Sequence, residues 1–309
     1  MKNKTISHVQ YVEIADDAGQ RVDNFLFRFL KTVPRTRIYR MLRKGEVRAN
    51  GGRIRPTYRL KKGDLIRIPP IFLGPTREAP LISQELAKQI EHSIIYEDDY
   101  LIVLNKPQDL AVHGGGGVSH GVIERLRFSR DMTQLELAHR IDKATSGCLL
   151  VAKSRPVLRE IHAALRDRNI EKRYSLIVSG RWNPKVKTIR QSLYRFVLPS
   201  GERRVRVSPD GKASRTDFEV LKVGNRATWL YAFPRTGRTH QIRVHALWAG
   251  HPILGDEKYL GEDAESSKAD EGLCLHADRI RLAFRGKDYD FRAPLPNRFD
   301  LVWARYSQD

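Results

Sequence analysis

In the N-terminal part of the chain, apolar positions recur at helical spacing. Val22, Phe25, Leu26, Phe29 and Leu30 share one stripe, and Ile38, Met41 and Leu42 begin a second, shorter one, which predicts two successive helices. "EVRANGGRIRP" then brings Asn50 and Gly51 into a hairpin signal. "LKKGDLIRIPP" supplies a second turn at Gly63 and Asp64 before a strand that closes at Pro69. From 71 to 93 the pattern loosens into mixed charge with two prolines, the mark of a linker with one short helix. A second region opens with "IIYEDDYLIVLNKP", two β-rich runs joined at Asp98 and Asp99. Further strands are predicted at 148–152, 174–178, 218–221, 228–233 and 280–284. Helices are predicted at 156–168, where Leu158, Ile161 and Leu165 share a face, and at 239–248, ending before Gly250. The expected architecture is α+β: a small αα-β-hairpin domain over 18–70, a linker over 71–93, and a domain over 94–309 on a mostly antiparallel mixed sheet.

Charge narrows the partners. Hydrophobic residues make up 40% and charged residues 30% of the 309, and Lys and Arg outnumber Asp and Glu by 56 to 36, a formal net charge of +20. The chain is long enough to bury the cores of two domains. Its cationic excess points to a polyanion, nucleic acid first. The excess is densest between 34 and 67, where twelve cations face only Glu46 and Asp64, and counterion release would drive phosphate binding there. An anionic membrane fits less well, because no basic amphipathic helix carries Trp and Phe along its apolar side. "MKNKTISHVQYVEIADDAGQ" lacks an apolar core of signal-peptide length and no run of about 18 apolar residues occurs, so a cytoplasmic protein is expected. Cys148 and Cys274 sit in apolar runs and read as core residues.

Several candidate sites fall away. "VHGGGGVSHGV" has neither a following Lys-Ser/Thr nor G-x-G-x-x-G spacing, so its glycines read as a turn or a place of close backbone approach. His240 and His245 lie five apart, off a shared helical face, and no metal site is expected. Ser146 before Gly147 does not form G-x-S-x-G. "HRIDKATSGCLLVAKS" sets Asp142 between Arg140 and Lys143. A loop aspartate is ordinarily a turn or cap residue. A carboxylate nucleophile must be ionised at neutral pH, nearby guanidinium groups favour that form, and "PRTGRTHQIRVHALWAGHPILGD", 234–256, offers Arg235, Arg238 and Arg243 around a helix start.

Two resemblances decide between these readings. "RVDNFL", "RKGEVRANG" and "LKKGDLIRI" resemble the RNA-binding domain named after small-subunit ribosomal protein four, which implies RNA docking through Arg37, Arg40, Arg43, Lys44 and Arg48. "LNKPQDLAVHGG", "HRIDKATSG", "EKRYSLIVSG" and "TGRTHQIRVH" together resemble the motif set of pseudouridine synthases of the ribosomal large-subunit type, over 94 to about 295. Ile141, where leucine is usual, and Lys143, at a variable position, are minor departures. The resemblance implies that Asp142 is the nucleophile, that Arg243 pairs with it, and that Tyr174 stacks on the uracil and handles the proton at carbon five. It also implies that Arg140, Asn105, Lys106, His139, Thr145, Arg238 and His240 hold RNA around a flipped nucleotide. The implied reaction converts uridine to pseudouridine in 23S ribosomal RNA, by a monomer needing neither cofactor nor metal. Attack by Asp142 on carbon six of the ring and on the anomeric carbon both stay open. A synthase acting on transfer RNA shares every motif, and the appended N-terminal domain favours large structured RNA by analogy. A non-catalytic RNA-binding ribosome-assembly factor is the remaining alternative, against which the presence of Asp142 and Tyr174 weighs.

Overall fold

The computed structural model describes residues 8–15, 17–30, 33–71, 82–114, 120–260 and 272–308, in two compact units divided between Glu78 and Ala79. The first unit opens on a strand that the apolar pattern does not reveal, β1 (Gln10–Glu13). It continues with α1 (Val22–Phe29), α2 (Arg35–Lys44), β2 (Arg48–Ala49), β3 (Gly52–Arg53) and β4 (Leu65–Ile68). The two helices form where the stripes predict, burying Val22, Phe25 and Leu26 of α1 and Ile38, Met41 and Leu42 of α2. α2 ends at Gly45, whose φ of 69° is the left-handed conformation that closes a helix. The four strands form an antiparallel sheet in the order β1-β4-β2-β3. Asp64 is buried and accepts from Lys61 N, Tyr58 Oη and Asn50 Nδ2, each at 2.9 Å, which ties both predicted turns together.

Residues 72–81 lie outside the described residues, as do 115–119, which hold most of the glycine run. The second unit begins with α3 (Gln84–Glu91), capped by Ser83, whose Oγ accepts from Leu86 N at 3.3 Å. This stretch, expected to be the end of a linker, buries Ala87 and packs Ile90 with Ile102, Ile123 and Leu126. Two apolar residues three apart are enough to seat an otherwise charged helix. The chain then runs through β5 (Ile94–Glu97), β6 (Leu101–Lys106), α4 (Val122–Arg130), β7 (Glu136–Leu137), β8 (Ser146–Ala152), α5 (Arg155–Arg166) and β9 (Ile170–Ser179). After these come β10 (Thr188–Val197), β11 (Arg203–Val207), β12 (Lys212–Val223), β13 (Ala227–Pro234), α6 (Gln241–Trp248), β14 (Leu275–Phe284), β15 (Lys287–Arg292) and α7 (Arg298–Ser307).

Eleven strands make one sheet, ordered β11-β10-β12-β13-β9-β14-β8-β6-β5, with β15 added on β14 and β7 on β8. Among the described residues every strand pairing is antiparallel except β8 with β14, which meet through two residue pairs, Ser146 with His276 and Gly147 with Ala277. Gly147 has φ 109°, and a Cβ there would lie 2.3 Å from the Ala277 carbonyl oxygen, so glycine is required for the join. β8 is buried along its whole length. Cys148 and Leu150 face Val157 and Ile161 of α5, and Leu149 and Val151 face Ile123 and Leu126 of α4. Both cysteines are buried. No helix among the described residues is long and apolar enough to cross a membrane.

Candidate active site

Asp142 lies on the loop between β7 and β8, and its neighbours fasten that loop to the fold. His139 Nε2 accepts from Leu150 N at 3.1 Å, Thr145 N donates to the Asp142 carbonyl at 3.1 Å, and Ile141 is buried. Burial, and then the charge of Lys172, push His139 down to about 3, so the ring stays neutral and keeps its acceptor. Lys106, 0% exposed at the end of β6, donates through Nζ to the carbonyls of Pro107 (2.7 Å), Leu110 (2.9 Å) and Lys143 (3.0 Å). Burial pushes it down to about 7, while the three carbonyls match the three N–H bonds that only the ammonium form has. Lys106 and His139 were expected among the groups that hold RNA. Their polar heads are instead occupied inside the fold, where they position the Asp142 loop. Asn105 likewise turns its Nδ2 to the Pro294 carbonyl at 3.4 Å.

The Asp142 side chain is 21% exposed, with one ring nitrogen, His240 Nε2, 3.9 Å from its Oδ2. Among the described residues its carboxylate makes no hydrogen bond. His240 caps α6 with φ 52°, a conformation that costs a non-glycine residue energy and is commonest at functional positions. Its Nδ1 lies 2.6 Å from Tyr259 Oη, which already accepts from Val205 N at 3.0 Å. The other ring nitrogen, Nε2, faces Asp142. Burial lowers the His240 pKa, against the charge of Asp142. Gln241 fixes the turn before α6: its Oε1 accepts from Thr236 Oγ1 (2.7 Å) and Arg238 N (3.1 Å). Its Nε2 donates to the Arg215 carbonyl and Thr216 Oγ1, both at 2.9 Å.

Arg243 was expected to pair with Asp142. Its guanidinium instead grips Asp256, with Nε to Oδ2 at 2.7 Å and Nη2 to Oδ1 at 2.6 Å. The reason is a prebuilt acceptor: Asp256 Oδ1 also receives Lys258 N (2.9 Å) and Tyr259 N (3.1 Å) in a buried loop. Against burial, Asp256 and then the more distant Asp142 charge hold Arg243 above its ordinary pKa, so Asp142 feels this cation through space. Tyr174, on β9, has its phenol pushed above the ordinary value by burial and then by Asp142, and it stays a neutral hydroxyl.

A cleft of about 110 Å³ gathers Asp142, Tyr174 and Arg243 with Arg140, Thr145, Arg238 and His240. Lys172 also lines it, with a pKa lowered by burial. Sequence reasoning missed Lys172, Asp256 and Tyr259. Lys172 stands two residues before Tyr174 on a strand, hence on the same face, and that period was the available signal. Nothing in the sequence marks Asp256 or Tyr259 as more than loop residues. A free carboxylate beside a flat ring, with cations at the rim, suits a planar base carried on an anionic chain.

In the first unit, Arg40, Arg43 and Lys44 are exposed along α2 and make no ion pair among the described residues. Arg37 lies 3.4 Å from Glu46. Arg48 donates to the Gly45 carbonyl (3.1 Å), beside Arg53 on Lys44 (2.9 Å) and Arg67 on Glu46 (2.8 Å). These three arginines are therefore engaged by the carbonyls at and just past the C-terminus of α2.

Comparison with known proteins agrees with both units. A family model described as RNA pseudouridylate synthase matches residues 100–248, and the S4 domain matches 20–66. The ribosomal large subunit pseudouridine synthase C of Haemophilus ducreyi is 50% identical over 98% of this chain and 97% of its own. Those of Haemophilus influenzae and Escherichia coli are each 47% identical over 96% of this chain, and 94% and 95% of theirs. The structure of human RNA pseudouridylate synthase domain containing 4 shares the fold, with a TM-score of 0.59 and 24% identity over 72% of this chain and 95% of that one. From its motifs, its cleft and this near full-length similarity, the chain belongs to the RNA pseudouridylate synthase family, alongside the ribosomal large subunit pseudouridine synthases C.

Proposed function

We propose that this RNA pseudouridine synthase acts on specific uridines of 23S ribosomal RNA, in the cytoplasm and as a monomer, with Asp142 as its nucleophile. The reaction detaches uracil from its ribose, turns it and rejoins it through carbon five. The observation that carries the role of Asp142 is its carboxylate: partly exposed, free of hydrogen bonds among the described residues, and facing the cleft on a loop held by buried groups. Such a carboxylate is available for attack. Tyr174 supplies the ring on which the uracil stacks. Arg140, exposed at the mouth, holds the RNA opened around the flipped nucleotide. Extruding a base costs about a few kcal/mol, which the cationic rim and the exposed cations of α2 offset through phosphate contacts.

Pseudouridine mapped in RNA from cells with and without this protein tests the substrate. Loss at discrete 23S positions is expected, whereas loss confined to transfer RNA would overturn the ribosomal assignment. Asp142→Asn tests the nucleophile: product formation should vanish while RNA affinity stays within about a few fold, because shape is kept and the nucleophilic charge is lost. Substantial residual turnover would remove Asp142 from the role.

A further inference from the structure

Tyr259, on the loop after α6, reaches the site through its backbone, its ring and its hydroxyl. Its backbone N donates to Asp256 Oδ1 at 3.1 Å, and so helps to build the carboxylate that holds Arg243. Its ring lies beneath the Arg243 guanidinium, whose central carbon is 5.0 Å from the centroid. Its hydroxyl accepts from Val205 N at 3.0 Å and lies 2.6 Å from His240 Nδ1. The loop itself is held against β11: Arg204 Nη1 donates to the Lys258 carbonyl at 2.6 Å, and Lys258 Nζ pairs with Glu202 at 2.8 Å. Tyr259 is buried and packs with Leu193, Val205 and Val244, so β10, β11 and α6 meet on one ring. Burial pushes its phenol up to about 12, and it keeps its proton at neutral pH.

We infer that Tyr259 is a positioning residue of the reaction: its hydroxyl fixes the imidazole of His240 so that Nε2 stays against the Asp142 carboxylate while the uracil is turned. The inference rests on Asp142 being the nucleophile. Its own support is the chain of contacts from Val205 N through Tyr259 Oη and His240 to Asp142. The phenol can donate to Nδ1 or accept from it, and in both cases an oxygen lone pair remains for Val205 N. The ring is held under either proton arrangement. His240 Nε2 makes no hydrogen bond among the described residues and has Asp142 Oδ2 at 3.9 Å, a separation of the kind that closes as a site tightens around its substrate. The left-handed backbone of His240, φ 52°, persists only where its surroundings fix it, and the Tyr259 contact is one of them. A hydroxyl that merely satisfied Val205 N would need neither that contact nor that backbone.

The test is a cycle of Tyr259→Phe, His240→Ala and the double variant, each read by its single-turnover rate at saturating enzyme and by its RNA dissociation constant, on a ribosomal RNA fragment that wild type modifies. Tyr259→Phe keeps the ring beneath Arg243 and the backbone bond to Asp256, so it removes the hydroxyl alone. It should slow the single-turnover rate by about ten- to hundredfold, the cost of a misplaced reactive group, with the dissociation constant held within about twofold. His240→Ala should lose at least as much. The double variant should be no slower than His240→Ala, because a hydroxyl that acts through the imidazole has nothing left to position. An unchanged rate in Tyr259→Phe, losses that multiply in the double variant, or a loss confined to RNA affinity would overturn the positioning role. The nitrogen NMR resonance of His240 Nδ1, compared between wild type and Tyr259→Phe, reads the contact without turnover, and an unmoved resonance would overturn it as well. Undiminished turnover in Asp142→Asn overturns the nucleophile proposed above instead, a result that the histidine cycle does not produce.

Discussion

Arg243→Met and Asp256→Leu, made singly and together, separate two jobs that Arg243 performs. The two side chains are 4% and 1% exposed and share two short charge-assisted hydrogen bonds. Arg243→Met leaves a buried carboxylate with the backbone donors Lys258 N and Tyr259 N, and Asp256→Leu leaves a buried guanidinium with only the more distant charge of Asp142. Breaking a buried pair from one side costs about 3–5 kcal/mol. For a domain of this size that is a drop of roughly 6–20 °C in Tm, at about 2–4 °C per kcal/mol. Replacing both members by apolar residues strands neither charge, so the double variant should recover most of the loss, giving a coupling of at least about 2 kcal/mol. Unfolding followed by circular dichroism reads this directly. Turnover should behave differently: the double variant should stay crippled although it is stable, because the cation that Asp142 feels through space is gone. Single losses below about 1 kcal/mol, or strict additivity, would refute the buried-pair argument. A stable, fully active double variant would show that Arg243 matters only as a support for the fold.

Lys106 carries a pH signature. Burial pushes native Lys106 down to about 7, while an unfolded lysine keeps its proton to about 10.4. Between those values the unfolded chain binds more protons, so stability should rise with pH relative to Lys106→Met, by at most about 1.4 kcal/mol per pH unit. Urea unfolding of both proteins from about pH 7 to about pH 9 should show that divergence, and parallel curves would place the Lys106 pKa elsewhere. In the first unit, the triple variant R40Q/R43Q/K44Q should keep its unfolding curve but flatten the salt dependence of RNA affinity by roughly 2 to 3 units of slope. An unchanged slope would make the α2 face a merely solvated one.

The parts of the fold that could be read in the sequence are those with a single strong period. α2 has its apolar stripe and a glycine stop, and the 48–53 hairpin has its Asn-Gly turn. β1 has only Tyr11 and Val12 to show between Gln10 and Glu13, and its partner strand lies more than fifty residues away. β10 and β11 were invisible because arginines interrupt their apolar residues, as suits a half-exposed edge. In the site, Asp142 and Tyr174 were reached through motifs quoted whole. The motifs could not say which cations face RNA and which face inward. Lys106 looks like a phosphate binder until the three carbonyls around it are known, and Arg243 looks free to reach Asp142 until Asp256 is found beneath it. Both errors have one physical source: a charged side chain's partner is chosen by tertiary burial, which local sequence does not encode.

The two-pair join of β8 to β14 is also a boundary of alignment. Asp142 hangs from one side of it, while Tyr174, His240 and Arg243 belong to the strands and helix on the other. The reactive geometry is thus a relation between two half-sheets, registered through Ser146 and Gly147 in the same short motif that supplies the nucleophile. One buried cluster, of Cys148 and Leu150 with Ile280 and Leu282, spans the join and holds the two halves together. A substitution at Gly147 would act as a miscalibration, leaving a folded protein whose catalytic groups no longer share a common origin of coordinates.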